Sequence, residues 1–364
     1  MKNDFFAVIT DKIKDSHSVF NKSNLYCCET MHDILKYILK VKYKIPEEKI
    51  FYGAENFNNY AMLGLTDINK PILYIMPECF DMPEKIFGQI ISSGNAVFYA
   101  NKKIFACFDT LDGSDNFSEY APGYSPVQNF KELREKNIKA QEEIIAELEN
   151  SGVQFVSLDG VCISPFAKIA RGAIIYPGTI IRGESIIGEN CTLGPNSIIE
   201  NSQLGESCVI NSAQIYSSVL ENNVKIGPFA HIRPNCVIKS GAAIGNFVEI
   251  KNSNIGADTK AGHLTYIGDS DVGERVNFGC GSITANYDGV KKSRCDIKDG
   301  AFIGSNVNLI APVTIGENAF VAAGSTFDKD VPADALAIAR TREHTIRENW
   351  VEIRDRANKF GKNK

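Results

Sequence analysis

One histidine in this sequence stands among groups that suit proton transfer. His263 lies in KAGHLTYIGD, between Gly262 and Leu264, with Lys260 and Tyr266 close by. Acyl transfer to an amine needs a base for the ammonium proton, and histidine serves with its ordinary pKa. It also needs a donor for the oxyanion that forms at the acyl carbon, which a backbone N–H supplies. Downstream, ANYDGVKKSRCD, between Thr284 and Ile297, gathers an amide, a phenol, carboxylates and two lysines. Arg233 and Lys251 add two cations in a chain whose net charge is −5. Taken singly, each residue has a structural alternative. Arg233, before Pro234, suits a corner salt bridge, Lys251 a solvated face, Tyr266 a packed ring and His263 a surface corner.

The elements that must position these groups are legible as a repeat. Aliphatic residues recur every six positions at Ile163, Ile169, Ile175, Ile181, Ile187, Leu193 and Ile199. The beat slips, resumes at Ile226, Ile232, Ile238, Ile244 and Ile250, and resumes again at Ile297, Ile303, Leu309, Ile315, Val321 and Phe327. Neither an amphipathic helix nor a long alternating strand has that period. It suits a solenoid in which each short strand sends one large side chain inward while Gly, Asn and Asp turn the corners. Three such units close a coil of about 18 residues. Places that break the repeat are candidate sites, and the largest break is ANYDGVKKSRCD.

Ahead of the repeat, residues 1–125 read as a small α/β region. Apolar runs predict strands near Phe5–Ile9, Ile72–Met76, Ala96–Tyr99 and Ile104–Phe108. Ile34, Leu35, Ile38 and Leu39 give a helical stripe, and a second helix is expected from Pro83 to Ile91. DTLDGSDNFSEYAPGYSP, from Asp109 to Pro126, reads as a boundary loop. A charged connector helix is expected from about Asn129 to Asn150, halted by Ser151-Gly152. The organisation expected is therefore 1–125, a linker at 126–152, the solenoid at 153–331, and a tail or cap at 332–364 containing the single Trp350.

Composition narrows the function classes. No basic face marks a nucleic-acid partner. Ten cysteines are scattered without C-x-x-C or zinc spacing, which fits reduced thiols better than a disulfide framework. No apolar run approaches a membrane span and the N-terminus has no signal-like core, so a cytoplasmic protein is expected.

The residues around His263 also carry a resemblance. GNFVEIK, KAGHLTYIGD and NYDG, within a stretch matching nearly without gaps from about residue 153 to 340, closely resemble the acetyltransferase half of a bacterial family. That family is the bifunctional N-acetylglucosamine-1-phosphate uridylyltransferase / glucosamine-1-phosphate N-acetyltransferase. The resemblance implies a left-handed parallel β-helix, a homotrimer with sites between subunits, and direct transfer from acetyl-CoA to glucosamine-1-phosphate without a metal. By matching position it makes His263 the general base, with Glu249 and Asn286 orienting base and substrate. Arg233, Lys251 and Lys292 would hold the sugar phosphate, and Tyr266 and Asn277 the sugar. Cys280, Ser305 and Ala323 would line the acetyl-CoA side, with Asn286 and Tyr287 nearby and Arg340 at the coenzyme's phosphates. Cys280 departs from the alanine more usual in the family, a change tolerated if the role is a backbone N–H.

The same family carries a uridylyltransferase domain whose glycine-rich loop follows the first strand. Here DKIKDSHSVF follows it, with no glycine before Gly53, and close backbone approach to phosphates needs glycine. The expectation is a reduced or diverged nucleotidyltransferase-like domain that has lost uridylyl transfer; an unrelated α/β domain is the alternative. Other readings stay open. They are a fully bifunctional enzyme, an N-acetyltransferase for another amino sugar or sugar nucleotide, and a non-enzymatic solenoid scaffold. A β-helical zinc lyase would need three histidines, and the solenoid holds only His231 and His263.

Overall fold

The structure is a computed structural model. It describes residues 129–341 throughout and, outside them, residues 6–9, 12–13, 16–17, 25–26, 29–30, 35–36, 39–40, 44–45, 50–52, 72–75, 97–100, 103–109 and 351–352. The chain divides into two compact units, Met1–Ser217 and Ser218–Lys364.

In the first unit a five-stranded sheet runs in the order Ile50–Tyr52, Phe6–Ile9, Ile72–Ile75, Lys103–Asp109, Val97–Ala100. Its first three strands are parallel and the last two pairings antiparallel. Four of these strands lie where the apolar runs predict them. Ile50–Tyr52 goes unread because three residues are too few to show a period. Leu35 and Leu39 are helical and fully buried, as the stripe requires. The helix expected at Pro83–Ile91, nearly all of the 109–126 loop and Trp350 fall outside the described residues.

The connector helix spans Phe130–Asn150. Asn129 caps it: its Oδ1 accepts from Glu132 N at 3.0 Å, filling one of the donors a helix start leaves open. Only Leu133 and Ile145 are buried, so packing alone ties it weakly. Gln141 supplies the rest, its amide donating to Ile163 O and accepting from Ile163 N, both at 2.8 Å. The helix stops where Gly152 takes φ +95°, a backbone that side chains with a Cβ avoid.

From Gln154 onward the strands are two to four residues long, and within each unit they pair in parallel with strands one coil away, the signature of a β-solenoid. Within the first unit Ile163, Ile175, Ile181, Ile187, Leu193 and Ile199 are buried to 1% exposure or less. The beat slips after Ile199, where Leu204, Ile210 and Ile215 keep the inward positions at spacings of five and six.

The second unit carries three faces of stacked strands. The first includes Lys225–Ile226, Ala243–Asn246, Lys260–His263, Asn277–Phe278, Phe302–Ile303, Phe320–Val321 and Leu336–Ala337. The second includes His231–Ile232, Glu249–Lys251, Tyr266–Gly268, Ile283–Ala285 and Asn308–Ile310. The third includes Val237–Ile238, Asn254–Ile255, Ser270–Val272, Cys295–Ile297 and Val313–Ile315. Ile232, Ile250 and Ile267 stack inward at 0% exposure, each contributing roughly 1.5–3 kcal/mol of burial. Phe327, the last member of the six-residue series, is only half-buried. Residues 332–340 include a further paired strand, Leu336–Ala337.

Corners are turned by residues in left-handed backbone, mostly Asn, Asp and Ser, such as Asn235, Asn252 and Asp269. The corner between the first and second faces departs from that rule. Phe229, Phe247 and Leu264 turn it at φ 58°, 56° and 44°, and the two phenylalanine rings stack at 5.4 Å. The break at residues 286–294 is a small hairpin. Tyr287 bridges Lys292, Ser293 N donates to Asn286 O at 2.9 Å, and Asp288 Oδ1 accepts from Val290 N and Lys291 N at 2.8 Å each.

Candidate active site

His263 ends its strand immediately before the left-handed corner at Leu264, which leaves its ring exposed. Asn246 occupies the same register position one coil earlier, and its Oδ1 lies 2.7 Å from His263 Nδ1. An amide oxygen only accepts, so in the neutral ring Nδ1 carries the hydrogen and Nε2 presents the lone pair. On the C-terminal side, Thr265 Oγ1 donates to His263 O at 2.7 Å and fixes the corner. Gly245 lets the two coils close up here. A Cβ on Gly245 would meet Gly262 O at 2.0 Å.

The corner column continues through the later coils. Gly281 N donates to Leu264 O at 3.0 Å, Asn306 N to Cys280 O at 2.8 Å, and Gly324 N to Ser305 O at 2.8 Å. Arg340 Nη1 then donates to Ala323 O at 2.8 Å. Cys280, Ser305 and Ala323 are therefore successive members of the column that begins at His263, and Arg340 reaches back to it with its side chain. All four are exposed. The Cys280 thiol faces outward, unlike Cys295, whose thiol is pushed up to about 11 by burial.

Around the corner, the second face gathers the charged groups. Arg233 Nη1 donates to Glu249 Oε1 at 2.9 Å, and this partner holds the guanidinium firmly protonated. Glu249 is thus engaged with Arg233, while Asn246 is the residue against the histidine ring. Tyr266, in register with Glu249, lays its phenol over Gly268, where a Cβ would meet the hydroxyl at 2.3 Å. The Tyr266 hydroxyl lies 3.5 Å from Asn286 Nδ2.

Beside them sits Asp269, 5% exposed. Its Oδ1 accepts from Asn252 Nδ2 at 2.5 Å, its Oδ2 accepts from Asn286 Nδ2, and Lys251 Nζ stands 3.9 Å away. Burial alone would raise its pKa. The bonds from Asn252 and Asn286, with the charges of Lys251 and Lys292, outweigh that and hold it below the usual carboxylate range. The pKa of Lys251 is lowered as well, which for a lysine disfavours the charged form. Lys292, reaching in from the hairpin, faces it and lowers its pKa; burial adds to this and Asp269 offsets part. Three cations, Arg233, Lys251 and Lys292, thus face two carboxylates, Glu249 and Asp269. The surplus of one positive charge suits a phosphate.

The expected residues fall into two neighbourhoods joined by the corner at Leu264. Arg233, Glu249, Lys251, Tyr266, Asn286 and Lys292 form one. His263, Cys280, Ser305, Ala323 and Arg340 form the other. Asn277 belongs to the first face, in register between Lys260 and Phe302, and Tyr287 is exposed on the hairpin with its hydroxyl donating to Gly289 O at 2.6 Å. Sequence reading missed Asn246 and Asp269. The signal for Asn246 was available, since it precedes His263 by 17 residues, one coil. Asp269 gave none: a corner Asp is ordinary, and its partners come from two other coils. Among the described residues no three His, Cys, Asp or Glu side chains gather as a metal site, and no helix is long and apolar enough to cross a membrane.

Comparison with known proteins agrees with this architecture. A family model for the bacterial transferase hexapeptide (six repeats) matches residues 166–201, 217–252 and 294–329. The "Bifunctional protein GlmU" of Caldicellulosiruptor saccharolyticus is 56% identical over 202 residues, covering 56% of this chain and 43% of that protein. The protein of the same name from Halalkalibacterium halodurans is 52% identical over 200 residues, 55% of this chain and 44% of its own. The chain thus spans less than half the length of these relatives. Among solved structures, a UDP-N-acetylglucosamine acyltransferase from Francisella novicida is 22% identical over 56% of this chain and 73% of that one, with a TM-score of 0.31. The C-terminal half of this chain is a hexapeptide-repeat solenoid, 52% and 56% identical over the aligned residues to part of these two bifunctional GlmU proteins.

Proposed function

We propose that this chain transfers the acetyl group of acetyl-CoA to the amine of glucosamine-1-phosphate, giving N-acetylglucosamine-1-phosphate for UDP-N-acetylglucosamine synthesis. The observation that carries this is the Asn246–His263 pair at the corner between a cationic face and the Cys280–Arg340 column. His263 Nε2 accepts a proton from the amine as the amine nitrogen attacks the thioester carbon, and coenzyme A leaves as its thiolate with the electron pair of the broken C–S bond and takes that proton back from His263. Backbone N–H groups along the column steady the oxyanion. Arg233, Lys251 and Lys292 hold the phosphate, Tyr266 and Asn277 the sugar, and Glu249 keeps Arg233 aimed. Asn286 and Tyr287 flank the acetyl group, and Arg340 meets the coenzyme's phosphates. The step needs proximity and a base rather than a covalent enzyme intermediate or a metal.

The protein acts in the cytoplasm as a homotrimer that completes each site between subunits, a reading supported by the likeness to the GlmU proteins. Acetyl transfer without uridylyl transfer is the reading favoured by the lack of a glycine before Gly53, and a bifunctional enzyme is the alternative. A thiol-release assay with acetyl-CoA and glucosamine-1-phosphate tests the main proposal. Turnover supports it, and turnover only of another amino sugar overturns it. Pyrophosphate release from UTP, magnesium and N-acetylglucosamine-1-phosphate would show that a second activity survives.

A further inference from the structure

Two carboxylates of one short segment have no part in the chemistry proposed above. Asp269 turns the corner into the strand Ser270–Val272, and Asp271 lies within that strand. One coil later in the same register stands Cys295–Ile297, the first strand after the hairpin. The hairpin's own bonds fix its shape, but its position over the solenoid needs attachment at the neck. Both sides of the neck meet this segment. At the entry, Asn286 Nδ2 donates to Asp269 Oδ2. At the exit, Arg294 Nε and Nη2 donate to Asp271 Oδ2 and Oδ1 at 2.7 and 2.8 Å, a bidentate pair, and Cys295 N donates to Asp269 O at 3.2 Å.

The carboxylates are themselves held from the preceding coil. Asn252 Nδ2 donates to Asp269 at 2.5 Å and Asn254 Nδ2 to Asp271 at 2.7 Å. Arg294 Nη1 completes the arrangement by donating to Asn252 O at 3.1 Å. Three coils are therefore tied through two aspartates. The Asp269 end is buried, where a satisfied charged bond holds its geometry best. The Asp271–Arg294 end is half-exposed, so its value lies in the planar fork that fixes direction.

We propose that Asp269 and Asp271 are positioning residues that clamp both sides of the 286–294 hairpin and so set Lys292 beside Lys251. This deepens the glucosamine-1-phosphate reading and rests on it for its kinetic consequence. An anion held between two lysines from different coils feels their spacing directly. Release of the clamp loosens the anion and leaves His263, on the other side of the corner, in place.

The test uses full-length Asp271→Asn, Arg294→Gln and the double variant. KM for glucosamine-1-phosphate should rise by about 3- to 10-fold, as for loss of one charge-assisted bond, with kcat and KM for acetyl-CoA nearly unchanged. The double variant should be no worse than the worse single one. Trypsin cleavage after Lys291 and Lys292, sites all variants keep, read by mass spectrometry on the native protein, should quicken while the melting temperature of the solenoid stays put. Asp269→Asn should raise KM further, because Lys251 also loses its counter-charge. An unchanged KM in all variants, or cleavage no faster than in the wild type, overturns the clamp. If the wild type does not turn over glucosamine-1-phosphate, the functional reading fails, and the clamp is then decided by cleavage alone.

Discussion

His263 and Asn246 are one solenoid coil apart, and the 2.7 Å contact between Nδ1 and Oδ1 couples a reactive ring to the repeat. The coil sets the spacing, the register Asn246↔His263 sets the alignment, and the amide oxygen leaves Nε2 as the acceptor. A base on an exposed corner is thereby given a fixed orientation without being buried.

His263→Ala should lower kcat for acetyl transfer by on the order of 10²-fold or more, the usual loss with a general base, and leave the melting temperature near wild type. Asn246→Ala should lower kcat by roughly tenfold, with KM for both substrates little altered, because the ring stays at the corner but loses its fixed orientation and its preferred tautomer. Steady-state kinetics on the two variants decide this. Full activity in His263→Ala would refute the base.

The two lysines predict an alkaline limb. Lys251 is less basic than an ordinary lysine because Lys292 faces it and burial adds to the effect, with Asp269 opposing both. It therefore sheds its proton earlier as pH rises, and KM for the sugar phosphate should climb below the pH at which a free lysine would titrate. Lys292→Met removes the facing charge. KM should then be higher at neutral pH, yet its alkaline rise should move to higher pH. The stability consequence has the opposite sign. Folding disfavours charged Lys251, so the unfolded chain binds the extra proton between the two pKa values and stability increases with pH there. Profiles of KM against pH for both proteins check the shift.

Gly245 and Gly262 are neighbours in the stack but should respond differently to alanine. At Gly245 the new methyl would strike the Gly262 carbonyl oxygen at 2.0 Å, a backbone atom that cannot step aside. Gly245→Ala should cost about 1–3 kcal/mol or more by overpacking and lower kcat as well, since Gly262 precedes His263. A Cβ at Gly262 meets nothing within 4 Å, so Gly262→Ala should change stability by less than about 0.5 kcal/mol. Thermal melts of the two variants compare the outcomes.

Much of the fold was legible because a solenoid writes its geometry as a period. Ile163 through Ile199 and Ile226 through Ile250 take the inward positions at the predicted spacing. The connector helix begins and ends within a residue of its cap signals, Asn129 and Ser151-Gly152. Phe327 marks the limit of the pattern, since its type and place continue the series while its ring is only half-buried.

The site was legible in part, for a different reason. His263 and the hairpin at 286–294 stood out as breaks in the repeat and as matches to known motifs, and both depend on residue type and short-range order. What those residues touch was decided by stacking. Glu249 meets Arg233, Asn246 meets His263, and Asp269 collects Asn252, Asn286 and Lys251 across separations of 16 to 18 residues that slip wherever a corner loses a residue. The sequence by itself determined the solenoid, its aliphatic interior and the residues able to do chemistry at its breaks. Only the tertiary structure decided which of them face one another, because coil register follows from every corner length summed along the chain.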